Sequence, residues 1–453
     1  MTDFPSGAPA DTTSVAVAAA RVNPAVLRSA TNKVSRRLLW LLFALFFSWY
    51  LCRISIGFAG LTMPADLGLT STQFGFATTL FYLAYLAFSV PASLILVRVG
   101  GRRWIGWVMI AGGLASSATI FATGAYSLYA LRFLSGVIDA GFLPGILLYL
   151  AQWFPAAYRG RATALLMIAL PITEMTGASV SGYILHLDGA WGLRGWQWLF
   201  LLKGAPALVF GFAALALLRN LPVQAKWLAP AEQHALTDVL DAEHLAANAR
   251  GAQTSFWKEL FLPTTLSYAL IYLIVVNTLA MIAIWTPLLV QTISPFGSNN
   301  VIVGHLAALP PLAAIAMTIL LGYYSDRLQE RKWHLFGPMV VSALGWLLAA
   351  YAGDSTLQLL GVCLASGGSY TAMAIFWTTP DYVFSSRSRV AGIAVINAFG
   401  NIGSGFNPLM VGFLHDFTSS FSASMVYSAL LMMLAAGLAL TLPISRRELA
   451  SRL

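Results

Sequence analysis

The sequence has 453 residues and very few charged side chains. Asp, Glu, Lys and Arg make up 9% of it and apolar residues 58%, whereas an ordinary soluble domain has about 25% charged residues. So few charges do not cover the surface of a water-soluble globule of this length. Apolar runs of about 20 residues, long enough to cross roughly 30 Å of hydrocarbon, recur along the chain. The composition excludes a set of soluble domains and indicates a polytopic helical membrane protein.

Cysteine is also scarce, since the chain has only Cys52 and Cys363, each inside an apolar run. They do not form a disulfide framework, and no CxxC or HExxH spacing suggests a metal. The sequence has no P-loop lysine and no Ser/His/Asp grouping, so we expect no catalytic residue, cofactor or metal. The net charge of +9 lies in short loops between apolar runs, which argues against nucleic-acid binding.

A window of about 19 residues predicts twelve spans and an all-α membrane protein. The predicted spans lie near residues 38–62, 74–97, 103–122, 126–151, 162–186, 196–218, 264–290, 302–323, 334–352, 357–383, 390–413 and 421–442. The polar stretch between the sixth and seventh spans predicts a solvated amphipathic linker. We therefore expect a cytosolic tail 1–37 without a cleaved signal, a six-helix bundle 38–218, a cytosolic linker 219–263, a second six-helix bundle 264–442 and a cytosolic tail 443–453.

The basic residues predict the orientation of the spans. Among the lysines and arginines outside the predicted spans, Arg194 is the only one on the side away from the N-terminus. Cytosolic loops carry the excess of Lys and Arg, so we expect both termini to be cytosolic.

Two short motifs repeat at nearly the same offset. Arg159-Gly-Arg161 precedes the fifth span and Arg387-Ser-Arg389 precedes the eleventh, 228 residues later, while Arg98 and Arg327 follow the second and eighth spans 229 residues apart. These repeats indicate a duplicated six-span unit. Parallel repeats of this kind form central binding sites in carriers.

Arg53 is predicted near the membrane midplane, in the first span. An ionisable side chain there costs at least about 2.5–3.5 kcal/mol, so it needs a function or a partner. A guanidinium group is a planar donor fork that matches a carboxylate. We interpret Arg53 as an anion-binding residue, with Tyr50 on the same helix face; the alternative is a structural ion pair.

Three further ionisable groups lie in the fourth to sixth spans. Arg132 and Asp139 share a helix face two turns apart, and they form either a fixed ion pair or a site where Asp139 loads and releases a proton. Glu174 is either a second titrating carboxylate or half of a structural pair with Lys203, and we favour the pair. Lys203 is also near enough to a span end to reach the interface.

Neutral polar residues cluster in the second half, where they either orient a ligand or join neighbouring helices. They are Asn277, Trp377-Thr378-Thr379-Pro380, Asn397 and Asn401. Among the many aromatic residues, we expect Tyr82, Tyr85 and Trp377 to face inward as walls for a planar ligand.

Long segments resemble the anion:cation symporter family of the major facilitator superfamily, and within it the bacterial 4-hydroxyphenylacetate permeases. The likeness covers almost all of residues 38–445. The segments that carry it include YLCRISIGFAGLTM, LRFLSGVIDAGFLPGILLYLAQWFP, GYYSDRLQERKWH and TAMAIFWTTPDYVFSSRSRVAGIAVINAFGNIG. The loop motifs are typical of the superfamily and the longer segments of the subfamily.

The resemblance implies a twelve-span carrier in a bacterial inner membrane that imports an organic carboxylate with protons by alternating access. We expect it to act as a monomer. By position, the resemblance assigns substrate binding to Arg53, Tyr50, Tyr85, Trp377, Thr378 and Asn397. It assigns proton coupling to Asp139 close to Arg132, and a cytosolic gate motif to Asp326 and Arg327.

The sequence departs from the family pattern at positions in the first and fourth spans that matter for coupling. Cys52 replaces the usual aspartate, Ser55 replaces an asparagine, and Asp139 stands where glutamate is usual. A thiol in apolar surroundings does not readily replace a carboxylate as a proton carrier. Our hypothesis is that Asp139 carries the proton, helped by Glu174; the rival is uncoupled facilitated diffusion.

The sequence thus predicts a secondary transporter for an aromatic monocarboxylate such as 4-hydroxyphenylacetate. The alternative substrate is a sugar acid or a dicarboxylate such as galactonate or tartrate, for which Arg132 or Lys203 supplies a second cation. The few, clustered embedded charges argue against the continuous polar lining of a channel. A substrate sensor without flux is the alternative outside transport.

Overall fold

A computed structural model describes residues 23–250, 262–328, 330–380, 384 and 389–442. Eleven helices of this part are long and apolar enough to cross a membrane, and Arg389–Thr418 is a further long helix. The first six spans are Pro24–Ala59, Ser71–Val99, Gly101–Phe121, Ala125–Trp153, Ala156–Leu185 and Gly195–Leu217. The next six are Pro263–Ile293, Asn300–Ser325, Lys332–Tyr351, Ser355–Phe376, Arg389–Thr418 and Ser422–Thr441.

The spans form two six-helix bundles with matching internal contacts. The third span packs on the sixth as the ninth packs on the twelfth, and the second packs on the fourth as the eighth packs on the tenth. Between the bundles, the second span meets the eleventh and the fifth meets the eighth, while the first meets the seventh. When six is added to or subtracted from each span number, the second–eleventh contact becomes the fifth–eighth contact, and the first–seventh contact becomes itself. The prediction of an all-α fold with two pseudo-symmetric bundles is therefore confirmed.

The two bundles touch closely at the span ends that lie away from the N-terminus. A Cβ atom added to Gly75 would lie 2.1 Å from the carbonyl oxygen of Pro408, and one added to Gly57 would lie 2.8 Å from that of Ile284. The Thr79 hydroxyl donates a hydrogen bond to the carbonyl of Gly405 across the same interface. Backbones approach this closely only where side chains are absent. The space between the two bundles is thus closed at this end.

The first helix begins earlier than the sequence analysis predicted. It starts at Pro24, and the Asn23 side chain caps it by accepting a hydrogen bond from the Ala25 N–H. Residues 24–37, which the sequence analysis assigned to the tail, therefore extend the first helix. Proline suits the first helical position because its missing N–H has no partner there in any helix. Residues 1–22 lie outside the described residues.

The predicted linker contains a helix, Pro230–Arg250, that packs against the first bundle. Glu232 accepts from Ser29 and Lys33 of the extended first helix, and Glu243 pairs with Arg159 in the first turn of the fifth span. The hydrogen bond from Lys33 lowers the pKa of the Glu232 carboxyl below its usual 4.5. Polar contacts thus hold this linker helix against the first bundle, whereas we predicted a solvated linker.

The fourth span breaks directly after Asp139. Its helices are Ala125–Asp139 and Phe142–Trp153. Gly141 lies in the break, where a Cβ atom would lie 2.3 Å from the Trp104 ring, and the Trp104 indole N–H donates to the Gly141 carbonyl. The same carbonyl also accepts from the Gly145 N–H of the following helix, so the tryptophan adds a second hydrogen bond at the break. The break fixes Asp139 at a helix end inside the bundle.

Candidate substrate-binding site

Arg53 lies in a ring of aromatic side chains inside the first bundle. Its guanidinium carbon is 5.1–5.5 Å from four ring centroids, those of Trp49, Phe81, Tyr82 and Tyr85. A cation over aromatic faces is attracted by the ring quadrupoles, and more strongly where water is excluded. The side chain remains 18% exposed, so the rings orient the guanidinium and leave it accessible.

Asp139 faces Arg53 and not the arginine on its own helix. Its Oδ2 lies 4.0 Å from Arg53 Nη1, at the outer limit of an ion pair, and its Oδ1 accepts a 2.8 Å hydrogen bond from the Trp49 indole. Oδ2 is buried and makes no hydrogen bond to any residue that the structure describes. The carboxylate therefore has one satisfied oxygen and one that faces the arginine.

The fixed Arg132–Asp139 pair that the sequence left open does not occur within 4.0 Å in the described residues. The Arg132 guanidinium instead lies 4.5 Å from the Phe81 ring centroid, and its Nε is buried without a hydrogen bond in this part of the chain. The break after Asp139 gives the physical reason, because the carboxylate at the helix end points toward the first span. Arg132 is therefore left with donors available.

One cavity is lined by both arginines. Its other walls come from the first, second and seventh spans: Tyr50, Ile54, Ile56, Thr78, Phe81, Tyr82, Ala283 and Ile284. The seventh span belongs to the second bundle, so the cavity lies between the bundles. Two guanidinium groups on an otherwise largely apolar wall offer the donors that an organic anion needs.

The predicted pair between Glu174 and Lys203 is wrong. Glu174 accepts hydrogen bonds from the hydroxyl groups of Tyr50 and Tyr370, whereas the Lys203 ammonium donates to the Ser181 hydroxyl at 2.5 Å and the Gly177 carbonyl at 3.3 Å. Lys203 is 1% exposed, so it does not reach the interface either. Glu174 and Lys203 thus each have neutral hydrogen-bond partners.

The other predicted binding residues do not all lie together. Tyr50 lines the arginine cavity and Tyr85 lies against Arg53. Trp377 directly follows the last residue of the tenth span and packs edge-on against Tyr272. Thr378 bonds to the backbone of its own helix.

Asn397 is exposed near the start of the eleventh span, where its carbonyl accepts from the Asn401 amide. Asn277 is buried, and its amide joins the seventh span to the eleventh by donating to Gly403. Arg327 is exposed in the last turn of its helix, and the Asp326 side chain lies outside what the structure describes. The structure thus brings together the first-bundle residues and not those of the second.

Sequence reasoning missed three residues of this site. The Trp49 indole donates a hydrogen bond to Asp139, and the Phe81 ring lies against the guanidinium group of Arg132. Tyr370, in the second bundle, donates a hydrogen bond to Glu174. The spacing of Trp49 four residues before Arg53 was a usable signal, because residues four apart share a helix face. No pattern indicated Tyr370, which is distant in sequence.

A family model described as Major Facilitator Superfamily matches residues 41–408. The chain belongs to the major facilitator superfamily. Its relatives include a putative tartrate transporter of Agrobacterium vitis, 38% identical over 91% of this chain and 90% of the relative. Another is the putative metabolite transport protein NicT of Pseudomonas putida, 34% identical over 91% of this chain and 94% of the relative.

Solved structures share the fold. The inward open conformation of the xylose transporter XylE from E. coli has a TM-score of 0.71 at 15% identity, covering 92% of this chain and 99% of that one. A bacterial homologue of the human lysosomal transporter Spinster, in an inward-facing and occupied conformation, also has a TM-score of 0.71 at 15% identity, covering 89% and 95%.

This major facilitator protein is therefore a multi-pass membrane transporter and not an enzyme. Its relatives named above are described as tartrate and metabolite transporters. These names do not support the narrower expectation of a 4-hydroxyphenylacetate permease, and they fit the dicarboxylate alternative better.

Proposed function

We propose that the protein imports a small organic dicarboxylate together with protons by alternating access. The observation that carries this proposal is the cavity lined by both Arg53 and Arg132. Each guanidinium group offers a donor fork to one carboxylate, so two of them suit a substrate with two acidic ends. Names of relatives that refer to tartrate point to the same class.

The charges around the cavity suggest how a proton takes part. Arg53 and Arg132 together with an ionised Asp139 carry a net charge of +1, and protonation of Asp139 raises it to +2. At an effective dielectric constant of about 20, two unit charges 4 Å apart interact by about 4 kcal/mol. A proton on Asp139 thus removes a competitor for Arg53 and leaves two cations for a dianion.

This mechanism gives the remaining predicted residues defined places. Tyr50 and Tyr85 border the arginine site, and Trp377, Thr378 and Asn397 are predicted to line the substrate pocket from the second bundle. Glu174 is predicted as a second titrating group, and Asp326 and Arg327 as the cytosolic gate motif. We further propose a bacterial inner-membrane location with both termini in the cytosol, and function as a monomer.

A second candidate substrate is an aromatic monocarboxylate such as 4-hydroxyphenylacetate. The aromatic side chains around Arg53 favour it, because they offer faces for stacking with a planar ligand. In this case Arg53 alone binds the carboxylate and Arg132 has no substrate contact.

Uptake into proteoliposomes tests the function. The purified protein should accumulate labelled tartrate when the outside is acidified, and unlabelled dicarboxylates should compete better than 4-hydroxyphenylacetate or galactonate. If labelled tartrate only equilibrated across the membrane and did not accumulate at any imposed pH gradient, the protein would be an uncoupled facilitator. Absence of flux for every acid, with binding retained, would favour the substrate sensor.

A further inference from the structure

Glu174 is a buried carboxylate between the two bundles whose hydrogen-bond donors are phenol groups. The Tyr50 hydroxyl of the first span lies 2.6 Å from Oε1, and the Tyr370 hydroxyl of the tenth span lies 2.6 and 2.7 Å from the two oxygens. Glu174 is 6% exposed, and no Lys or Arg in the described residues lies within 4.0 Å of it. The group therefore sits in a site for O–H donors and not in an ion pair.

An ionised carboxylate only accepts hydrogen bonds, and its two oxygens offer about four acceptor positions. Tyr50 and Tyr370 occupy part of this capacity, so Glu174 can accept a further O–H donor. It repels a second carboxylate at the same distance. An organic anion near Glu174 is thus expected to turn a hydroxyl group toward it and its carboxylates elsewhere.

Glu174 lies next to the arginine cavity. It lines a second cavity, which shares the walls Ile54 and Ala283 with the arginine cavity. Tyr50 connects the two, because it lines the arginine cavity and donates to Glu174. A bound acid that extends from Arg53 past Ile54 therefore comes within reach of the carboxylate.

We propose that Glu174 and Tyr370 recognise a hydroxyl group of the transported anion, which makes them specificity-determining residues. The substrate hydroxyl inserts into the Tyr370–Glu174 hydrogen bond: it donates to the carboxylate and accepts from the phenol. One hydrogen bond is replaced by two. Because Tyr370 and Glu174 belong to different bundles, the bound hydroxyl also connects the bundles. This inference rests on the proposed transport of an organic anion.

Discrimination between a hydroxy acid and its deoxy analogue has a limited size. Without the hydroxyl, Tyr370 returns to Glu174, so no buried group is left without a partner. The preference is then set by about one hydrogen bond to a charged group, roughly ten- to a hundredfold in affinity. A site whose buried polar groups were left without any hydrogen-bond partner by the deoxy analogue would discriminate against it more strongly.

The test compares L-tartrate with succinate, two four-carbon dicarboxylates that differ in hydroxyl groups. Their dissociation constants are measured on the purified full-length protein, and their inhibition of labelled uptake is measured in proteoliposomes. We expect the wild type to prefer L-tartrate, and Tyr370→Phe and Glu174→Gln to bring the ratio of the two constants close to one. Succinate binding should persist in both variants, and this shows that each variant is folded; in Glu174→Gln it should tighten, because the repelling carboxylate is gone.

Two matched substitutions serve as controls. Tyr351→Phe changes a 72% exposed tyrosine of the same bundle, and Glu243→Gln changes a carboxylate of the linker helix; both should keep the wild-type ratio. An unchanged ratio in Tyr370→Phe and Glu174→Gln overturns the inference, as does a wild type without preference. If Glu174 were only a proton carrier, its variant would lose pH-driven accumulation at an unchanged ratio. A wild type that binds neither acid refutes the proposed function itself.

Discussion

Replacing Arg53 by lysine keeps one positive charge in the cavity and removes the planar donor fork. The guanidinium carbon is centred 5.1–5.5 Å from four aromatic rings, which fix its orientation toward the cavity. An ammonium group on a flexible stem has no plane for these rings to fix, and it binds a carboxylate as a point charge. The substitution therefore weakens the geometry of the substrate contact more than its charge.

The expected loss is about one hydrogen bond to a charged group, or about 1.5–3 kcal/mol. At about 1.4 kcal/mol for each factor of ten, this predicts a dissociation constant about 10- to 150-fold higher in Arg53→Lys. Arg53→Gln removes the charge as well and leaves Asp139 without its facing cation. We expect no measurable uptake from that variant.

Both variants are measured by equilibrium binding of L-tartrate and by uptake into proteoliposomes. Arg194→Lys is the control, because that side chain is 60% exposed outside the proposed site and lies 3.9 Å from Asp66. Wild-type affinity for organic acids in Arg53→Lys and Arg53→Gln would refute the assignment of Arg53 as the anion-binding residue, and with it the proposed mechanism.

Three further predictions concern coupling, the closed interface and the linker helix. Asp139→Asn should retain exchange of substrate across the membrane and lose pH-driven accumulation, because the variant has no proton to carry; uptake at two external pH values measures this. Gly75→Ala should force the bundles apart at the closed end, since the new Cβ would lie 2.1 Å from the Pro408 carbonyl. A cost of about 1–3 kcal/mol for the closed state would shift the equilibrium between closed and open states of this end at least fivefold toward open. The labelling rate of an engineered cysteine at this end measures the shift. Glu232→Gln should lower the melting temperature at pH 7 by about 1–2 °C, for a loss of about 1 kcal/mol. Because the bond from Lys33 lowers the pKa of Glu232, the difference from wild type should shrink as pH falls below about 4.5.

Each of these predictions has a contrary result. Retained accumulation in Asp139→Asn would move proton coupling to another group. Gly437→Ala, where no atom lies within 4 Å of the new Cβ, is the control for Gly75→Ala, and equal labelling of the two would contradict the clash. A stability difference for Glu232→Gln that stays constant down to pH 3.5 would show that the carboxylate contributes no charge-dependent bond.

Much of the fold follows from the sequence because hydrocarbon imposes simple rules. An apolar run of about 20 residues has few alternatives to a spanning helix, and the repeated arginine motifs indicate a duplicated unit. The start of the first helix was not predicted, because Lys33 in this segment reads as part of a polar tail. Its partner, Glu232, lies about 200 residues further on, and no local pattern indicates that contact.

The charged groups of the site were found by sequence, but their pairing was not. A charge inside a span is rare enough to mark a functional position by itself, and this criterion identifies Arg53, Arg132 and Asp139. Which of these groups face one another depends on the break after Asp139 and on how the helices are rotated. A helical wheel places Arg132 and Asp139 on one face, whereas the structure turns Asp139 toward the first span.

The expectation of an aromatic substrate came from the family resemblance and from the aromatic residues expected to face inward near Arg53. Tyr82 and Tyr85 were expected to form walls for a planar ligand; in the structure Tyr82 lines the arginine cavity, and both rings lie against the guanidinium group of Arg53. A ring that already contacts a cation orients that cation, and its presence does not by itself require a second ring in the substrate. If this is their role, Tyr82→Phe should transport dicarboxylates with nearly the wild-type affinity, because a phenyl face still orients the guanidinium. Tyr82→Leu should lose affinity for dicarboxylates and for 4-hydroxyphenylacetate by the same factor. If Tyr82→Leu lost affinity for the aromatic acid alone, the result would instead indicate that the Tyr82 ring contacts the substrate directly.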